Sequence, residues 1–161
     1  MSGQRKKTVV LSANTSWYLL NFRKATIHAL VDAGFEVVCL APQDDYSDHL
    51  SAIPGCRWIP LEMDNQGSNP LRDAALFLRF MKAYRQLRPA VVCHFTIKNN
   101  VYGTWAAAIL GIPALTNITG LGTSFLGSGL VPKIARLLYR GSQRFTSQQQ
   151  YSDAGAFKKT K

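Results

Sequence analysis

Residues able to do chemistry concentrate between Val91 and Phe125, VVCHFTIKNNVYGTWAAAILGIPALTNITGLGTSF. An apolar run ends at His94 and is followed at once by Thr96, Lys98 and two asparagines, Asn99 and Asn100. A second short apolar run ends in Asn117, Thr119, Gly120 and Gly122. Both clusters fall just past the carboxyl ends of predicted buried strands. In an open parallel sheet, that edge is where ligands bind. A matching cluster follows the first apolar run: Asn14, Thr15 and Ser16, then Asn21 and Arg23. The first three stand where a helix should begin. Backbone N–H groups at a helix start favour an anion, and hydroxyl and amide side chains can add bonds to it. Plain capping would account for one or two of the three.

The elements that must position these residues can be read from apolar patterning. Thr8–Ala13, Phe35–Ala41, Arg57–Leu61, Val91–Phe95 and Ala114–Ile118 are short apolar runs suited to buried strands. Helices are predicted from about Trp17 to Gly34, briefly within Asp44–Ile53, from Pro70 to Leu87, from Asn99 to Leu110, and from about Val131. Strand and helix alternate with short turns. The expected fold is therefore an α/β, Rossmann-like three-layer α/β/α domain with a parallel, doubly wound sheet. Pro60 suggests an edge strand or the end of the third strand. The first turn reads SANTSWYLLNFR and lacks the GxGxxG that a dinucleotide pyrophosphate requires, so a plain NAD-binding domain is not expected.

Composition narrows the class. The chain has 161 residues, 47% of them hydrophobic, which is enough for one domain with a real core and argues against disorder. No apolar run is long enough to span a bilayer, and the start does not read as a signal peptide. Cys39, Cys56 and Cys93 are widely spaced with no CxxC, which suggests buried thiols in a reducing compartment. No metal site or cofactor is expected. The net charge is +10, and no carboxylate occurs between Asp73 and Asp153. A half of one sign this large implies an anionic partner: nucleic acid, anionic lipid or a phosphorylated substrate. Nothing in the chain resembles a nucleic-acid module, so no nucleic acid is expected.

Two helices carry the cations. On the helix at 70–87, Ala74, Phe77, Met81 and Tyr84 form one apolar row and are the expected core stripe. Leu76, Phe80 and Leu87 form a second row beside Arg72 and Arg79, which suggests a membrane surface, a partner or a covering helix. In the last helix Lys133, Arg136, Arg140 and Arg144 make one cationic stripe suited to an anionic bilayer or simply to solvent.

Five segments in order carry a family resemblance: ANTSWYLLNFR, APQDDYSDHL, GSNPLRD, FTIKNNVYG and NITGLGTSF. Together, across residues 8–140, they resemble the N-terminal half of a GT-B glycosyltransferase. The resemblance is to the retaining, family-4 type that builds bacterial surface polysaccharides on polyprenyl-diphosphate carriers. It implies two Rossmann-like domains facing a cleft, the first binding the acceptor and touching the membrane, the second binding a nucleotide sugar. No metal is implied, because side chains and helix starts neutralise the leaving diphosphate. Lys98 would be a diphosphate contact, and the loop from Asn117 to Gly122 would line the cleft. Relatives have proline where Asn99 stands. They also carry histidine where alignment through Pro89 puts Cys93 and Phe95. His94, the candidate catalytic residue, falls between those two positions, and strand alternation would turn it away from the cleft.

The resemblance divides the chain into a basic arm at 1–7, a Rossmann-like domain at 8–140 and a polar tail at 141–161, expected to be disordered or altered. The expected function is the acceptor-binding half of a glycosyltransferase, without the donor-binding half, binding but not catalysing alone. The expected location is the inner face of the cytoplasmic membrane, with a lipid-linked or saccharide acceptor and a donor-binding domain or chain as partners. Two alternatives are a membrane-recruiting subunit of a split enzyme and a generic nucleotide-binding module.

Overall fold

The computed structural model describes residues 6–64, 69–118 and 148–151. Strands are β1 Thr8–Ser12, β2 Glu36–Ala41, β3 Cys56–Pro60, β4 Val91–His94, β5 Ala114–Ile118 and β6 Gln148–Tyr151. Helices are α1 Ser16–Asp32, α2 Ser47–Ser51, α3 Pro70–Leu87 and α4 Thr104–Ile109, the last entered through a π-helical turn at Asn99–Gly103. The strands pair in the order β3-β2-β1-β4-β5-β6, all parallel. The fold is thus the expected Rossmann-like α/β sheet. Connections run from β1 toward β2 and β3, then return so that β4 lies on the other side of β1. The strand order therefore reverses between β1 and β4, the topological switch point.

Alternation along β1 sends its side chains to two cores. Val9 and Leu11 join Leu19 and Ile27 of α1 and Leu50 of α2. Val10 joins Leu76, Phe80 and Tyr84 of α3 and Ala106 and Ala107 of α4. Helix starts are capped locally: Thr15 Oγ1 accepts from Tyr18 N at 3.0 Å, and Asn69 Oδ1 accepts from Leu71 N at 3.1 Å just before Pro70. Helix α1 stops at Gly34, whose φ of 91° lies in the left-handed region glycine tolerates best. Among the described residues, no helix is long and apolar enough to cross a membrane.

Three expectations need correction. Helix α3 is rotated from its predicted setting: Leu76 and Phe80 are buried, Ala74 is exposed and Phe77 is only half-buried. Apolar residues occur around most of this helix, so the pattern left two rows in competition. The buried side combines Met81 and Tyr84 of the expected row with Leu76 and Phe80 of the second, and the rings of Phe80 and Tyr84 pack against His94. The helix predicted at 99–110 starts as a π-helical turn. Within the tail expected to be disordered or altered, Gln148–Tyr151 is a strand parallel to β5. The open side of β5 offers backbone donors and acceptors that a polar segment can pair with as well as an apolar one. The predicted last helix lies outside the described residues.

Candidate functional site

Register places the clusters on one edge. Ser12 pairs with His94 and His94 with Thr116, so β1 and β4 end level with Thr116, two residues before the end of β5. Asn14 and Thr96 follow the ends of β1 and β4, and Asn117 is the last residue but one of β5. Asn100 Nδ2 donates to the Asn117 carbonyl at 3.2 Å, joining the turn after β4 to β5. Thr96 Oγ1 donates to Asn99 Oδ1 at 2.7 Å, which fixes the entry to the π-helical turn. Among the described residues, three buried amide atoms have no hydrogen-bond partner: Asn99 Nδ2, Asn100 Oδ1 and Asn117 Oδ1. Buried polar atoms are normally paired, so three at the carboxyl ends of two neighbouring strands stand out.

The first turn is more structural than its residue types suggest. Thr15 is the cap of α1. Ser16 is fully buried, donates to the Pro42 carbonyl at 3.0 Å and accepts from Ser47 Oγ at 3.0 Å, tying the turn after β1 to the turn after β2. Trp17 N donates to Asp44 Oδ2 at 3.0 Å. An anion therefore already faces the start of α1, and it is the chain's own carboxylate. Asn21 Nδ2 donates to the Trp17 carbonyl within the helix. Arg23 turns inward: its Nη2 donates to Tyr18 Oη at 3.0 Å and its guanidinium lies over the Phe95 ring.

Lys98 is a cation with a counter-ion. Its Nζ lies 3.0 Å from Asp73 Oδ1, and Tyr102 Oη donates to Asp73 Oδ2 at 3.0 Å. Burial, with Asp73 beside it, pushes the Tyr102 hydroxyl above the ordinary tyrosine range, so it stays a donor. The bridge is largely shielded, with side-chain exposures of 21% and 12%. It pins the first turn of α3 to the turn after β4. Sequence reading missed Asp73 as the partner because 25 residues separate the pair. Asp73→Ala is expected to cost about 3 kcal/mol in urea unfolding, since it strands one charge and one hydroxyl. Tyr102→Phe should cost about 1 kcal/mol, and the two losses should not add.

His94 sits in the core. It is fully buried, with Nδ1 2.7 Å from Ser12 Oγ and Nε2 3.4 Å from Tyr84 Oη. Burial lowers its pKa to about 3, against a smaller opposing effect from the Gly103 backbone, so the ring is neutral near pH 7. It points toward α3 and α4, away from α1. A proton-transfer role would need an opening that this packing does not provide.

Arg79, expected to face a membrane, lies 3.2 Å from Glu62 in an exposed ion pair. Arg72 is likewise paired with Asp64 at 2.7 Å, and both pairs line a cavity of about 380 Å³ past β3. Exposed pairs of this kind add little stability, but they cancel the charge a bilayer would feel. Thr119, Gly120, Gly122, Lys133, Arg136, Arg140 and Arg144 lie outside the described residues.

The sequence profile of a family described as "Glycosyl transferase 4-like domain" matches residues 23–151. The N,N'-diacetylbacillosaminyl-diphospho-undecaprenol alpha-1,3-N-acetylgalactosaminyltransferase of Campylobacter jejuni is 28% identical over 135 residues. That match covers 81% of this chain and 36% of the relative, so the chain spans about a third of its length. Among solved structures, MurG of Acinetobacter baumannii superposes with a TM-score of 0.61 at 17% identity, covering 96% of this chain and 43% of MurG. A putative UDP-N-acetylglucosamine 2-epimerase of Listeria monocytogenes gives 0.62 at 12% identity, covering 89% of this chain and 38% of that protein. At such identities the two structures share the fold alone with this chain.

Proposed function

Because the chain belongs to the glycosyl transferase 4-like domain family, we propose that it supplies the acceptor-binding part of a glycosyltransferase. The reaction would move a sugar from a nucleotide-sugar to a polyprenyl-diphosphate-linked or other surface-polysaccharide acceptor. The observation that carries this reading is the rim itself. Asn14 and Thr96 follow the ends of β1 and β4, Asn117 stands near the end of β5, and among the described residues three buried amide atoms there lack partners. Amides and hydroxyls at a switch point suit the hydroxyls of a saccharide. The Campylobacter relative's name carries a diphospho-undecaprenol, which supports an acceptor of that class. The donor sugar would be bound by a second domain or chain.

The proposal includes a site on the inner face of the cytoplasmic membrane, but not through Arg79. Leu71 and Leu78 on α3 and Ile109 on α4 are 83%, 63% and 62% exposed. Lys82, Arg85 and Arg88 are exposed along α3 and at its end, and no carboxylate follows Asp73 on either helix. Exposed apolar residues among unopposed cations suit an anionic leaflet. Saturation-transfer NMR of the 161-residue chain with a prenyl-diphosphate sugar should show contact, and anionic vesicles should cosediment with the chain in a salt-sensitive way. Contact with neither would reject the reading.

A further inference from the structure

Among the described residues, Arg23 is the one rim cation that the fold has ordered without neutralising. Four other cations in the described residues meet carboxylates: Arg57, Arg72, Arg79 and Lys98. Among the described residues Arg23 has no such partner. It is nevertheless held firmly. Its Cζ lies 4.4 Å from the Phe95 ring centroid and 5.6 Å from that of Tyr18, and Nη2 donates to Tyr18 Oη. Its Nε is buried and has no hydrogen-bond partner among the described residues. Ring faces attract a guanidinium but take up none of its N–H groups in strong bonds. Of five donors, only one makes a hydrogen bond here.

The position of these rings gives the arrangement its meaning. Phe95 is the first residue after β4, and its N–H donates to the Ser12 carbonyl at the end of β1. Tyr18 lies in the first turn of α1. Arg23 is therefore held beside the ends of β1 and β4, the two strands between which the sheet order reverses. Ligands of open α/β sheets lie in that crevice. A planar guanidinium with unspent donors matches the oxygens of a phosphate group. Lys98, by contrast, already serves Asp73, and the start of α1 already serves Asp44.

We infer that Arg23 binds a phosphate oxygen of the ligand at the crevice between β1 and β4, and that Lys98 acts as the structural counter-ion of Asp73. This inference rests on the proposed acceptor reading and assigns the residue that would recognise the acceptor's diphosphate.

The test is calorimetric titration of the full 161-residue chain with two probes, inorganic pyrophosphate and farnesyl diphosphate. Arg23→Gln should weaken both by roughly ten- to a hundredfold, the range of a charge-assisted hydrogen bond. Arg23→Lys, which keeps the charge but loses the planar fork, should fall between. Lys24→Gln removes an equal charge from the next, exposed residue and should stay within about twofold. Tighter binding of farnesyl diphosphate than of pyrophosphate by the native chain would mark a lipid headgroup as the source of the phosphate. If the native chain binds and Arg23→Gln binds equally well, the assignment to Arg23 fails while the acceptor reading stands. If the native chain binds neither probe, both fail. Should Arg23→Gln not fold, Arg23→Lys decides: native affinity for both probes would overturn the assignment.

Discussion

Replacing Gly103 with alanine is expected to destabilise the chain by about 3–5 kcal/mol, the sum of an overpacked core and a broken buried hydrogen bond. Gly103 closes the π-helical turn with ordinary helical torsions, φ −66° and ψ −41°. Its need for glycine is one of space alone. A Cβ there would fall 2.8 Å from both Nδ1 and Nε2 of His94, closer than carbon and nitrogen approach without bonding. The imidazole has nowhere to retreat, because Ser12 Oγ sits on Nδ1 and the Phe80 ring stands edge-on with centroids 5.8 Å apart. Either His94 is expelled and Ser12 loses its partner, or the turn carrying Asn99 and Asn100 lifts off the sheet. Domains of this kind hold about 5–15 kcal/mol in total, so the variant should unfold at much lower urea. His94→Ala would cost stability alone, yet in combination it should recover part of the Gly103→Ala loss. A Gly103→Ala chain with a native urea midpoint would contradict the packing.

That contact shows where sequence reading reaches its limit. The strands were legible because runs such as TVVLS and EVVCLA are apolar throughout, as strands buried on both faces must be. Pro60 marked an edge or the end of a strand, Pro70 the start of α3, and Gly34 the end of α1. The rim was legible because polar residues follow strand ends, and parallel pairing in register brings those ends to one edge. What could not be read were the pairings made across the fold. Nothing local in the sequence shows that Asp73 neutralises Lys98, that Asp44 faces the start of α1, or that Phe95 carries the guanidinium of Arg23. Each depends on which helix crosses which strand end. The setting of α3 failed for a related reason. Its apolar residues surround most of the helix, and only the rings of Phe80 and Tyr84, packed on His94, select the buried side.

Those same rings make acid stability depend on His94. An unfolded histidine titrates near 6.5, and here burial lowers the native value to about 3. Above pH 6.5 the ring is neutral in both states and stability is independent of pH through this group. Below 6.5 the unfolded chain gains a proton that the native chain refuses, so stability falls as pH falls, and the loss levels off only near pH 3. The slope is about 1.4 kcal/mol for each pH unit inside that window. Between pH 6.5 and 4.5 the expected loss is therefore about 2–3 kcal/mol. Carboxylates titrating in acid add their own losses at the lower end. Subtracting a His94→Gln chain, which cannot titrate there, isolates the histidine. Guanidinium midpoints measured at pH 7.5, 6.0 and 4.5 should converge between native and His94→Gln chains as pH drops, even though the glutamine variant starts weaker. Parallel curves would mean that the imidazole can take its proton in place, through an opening between α3 and the π-helical turn. His94 would then regain a claim to proton transfer.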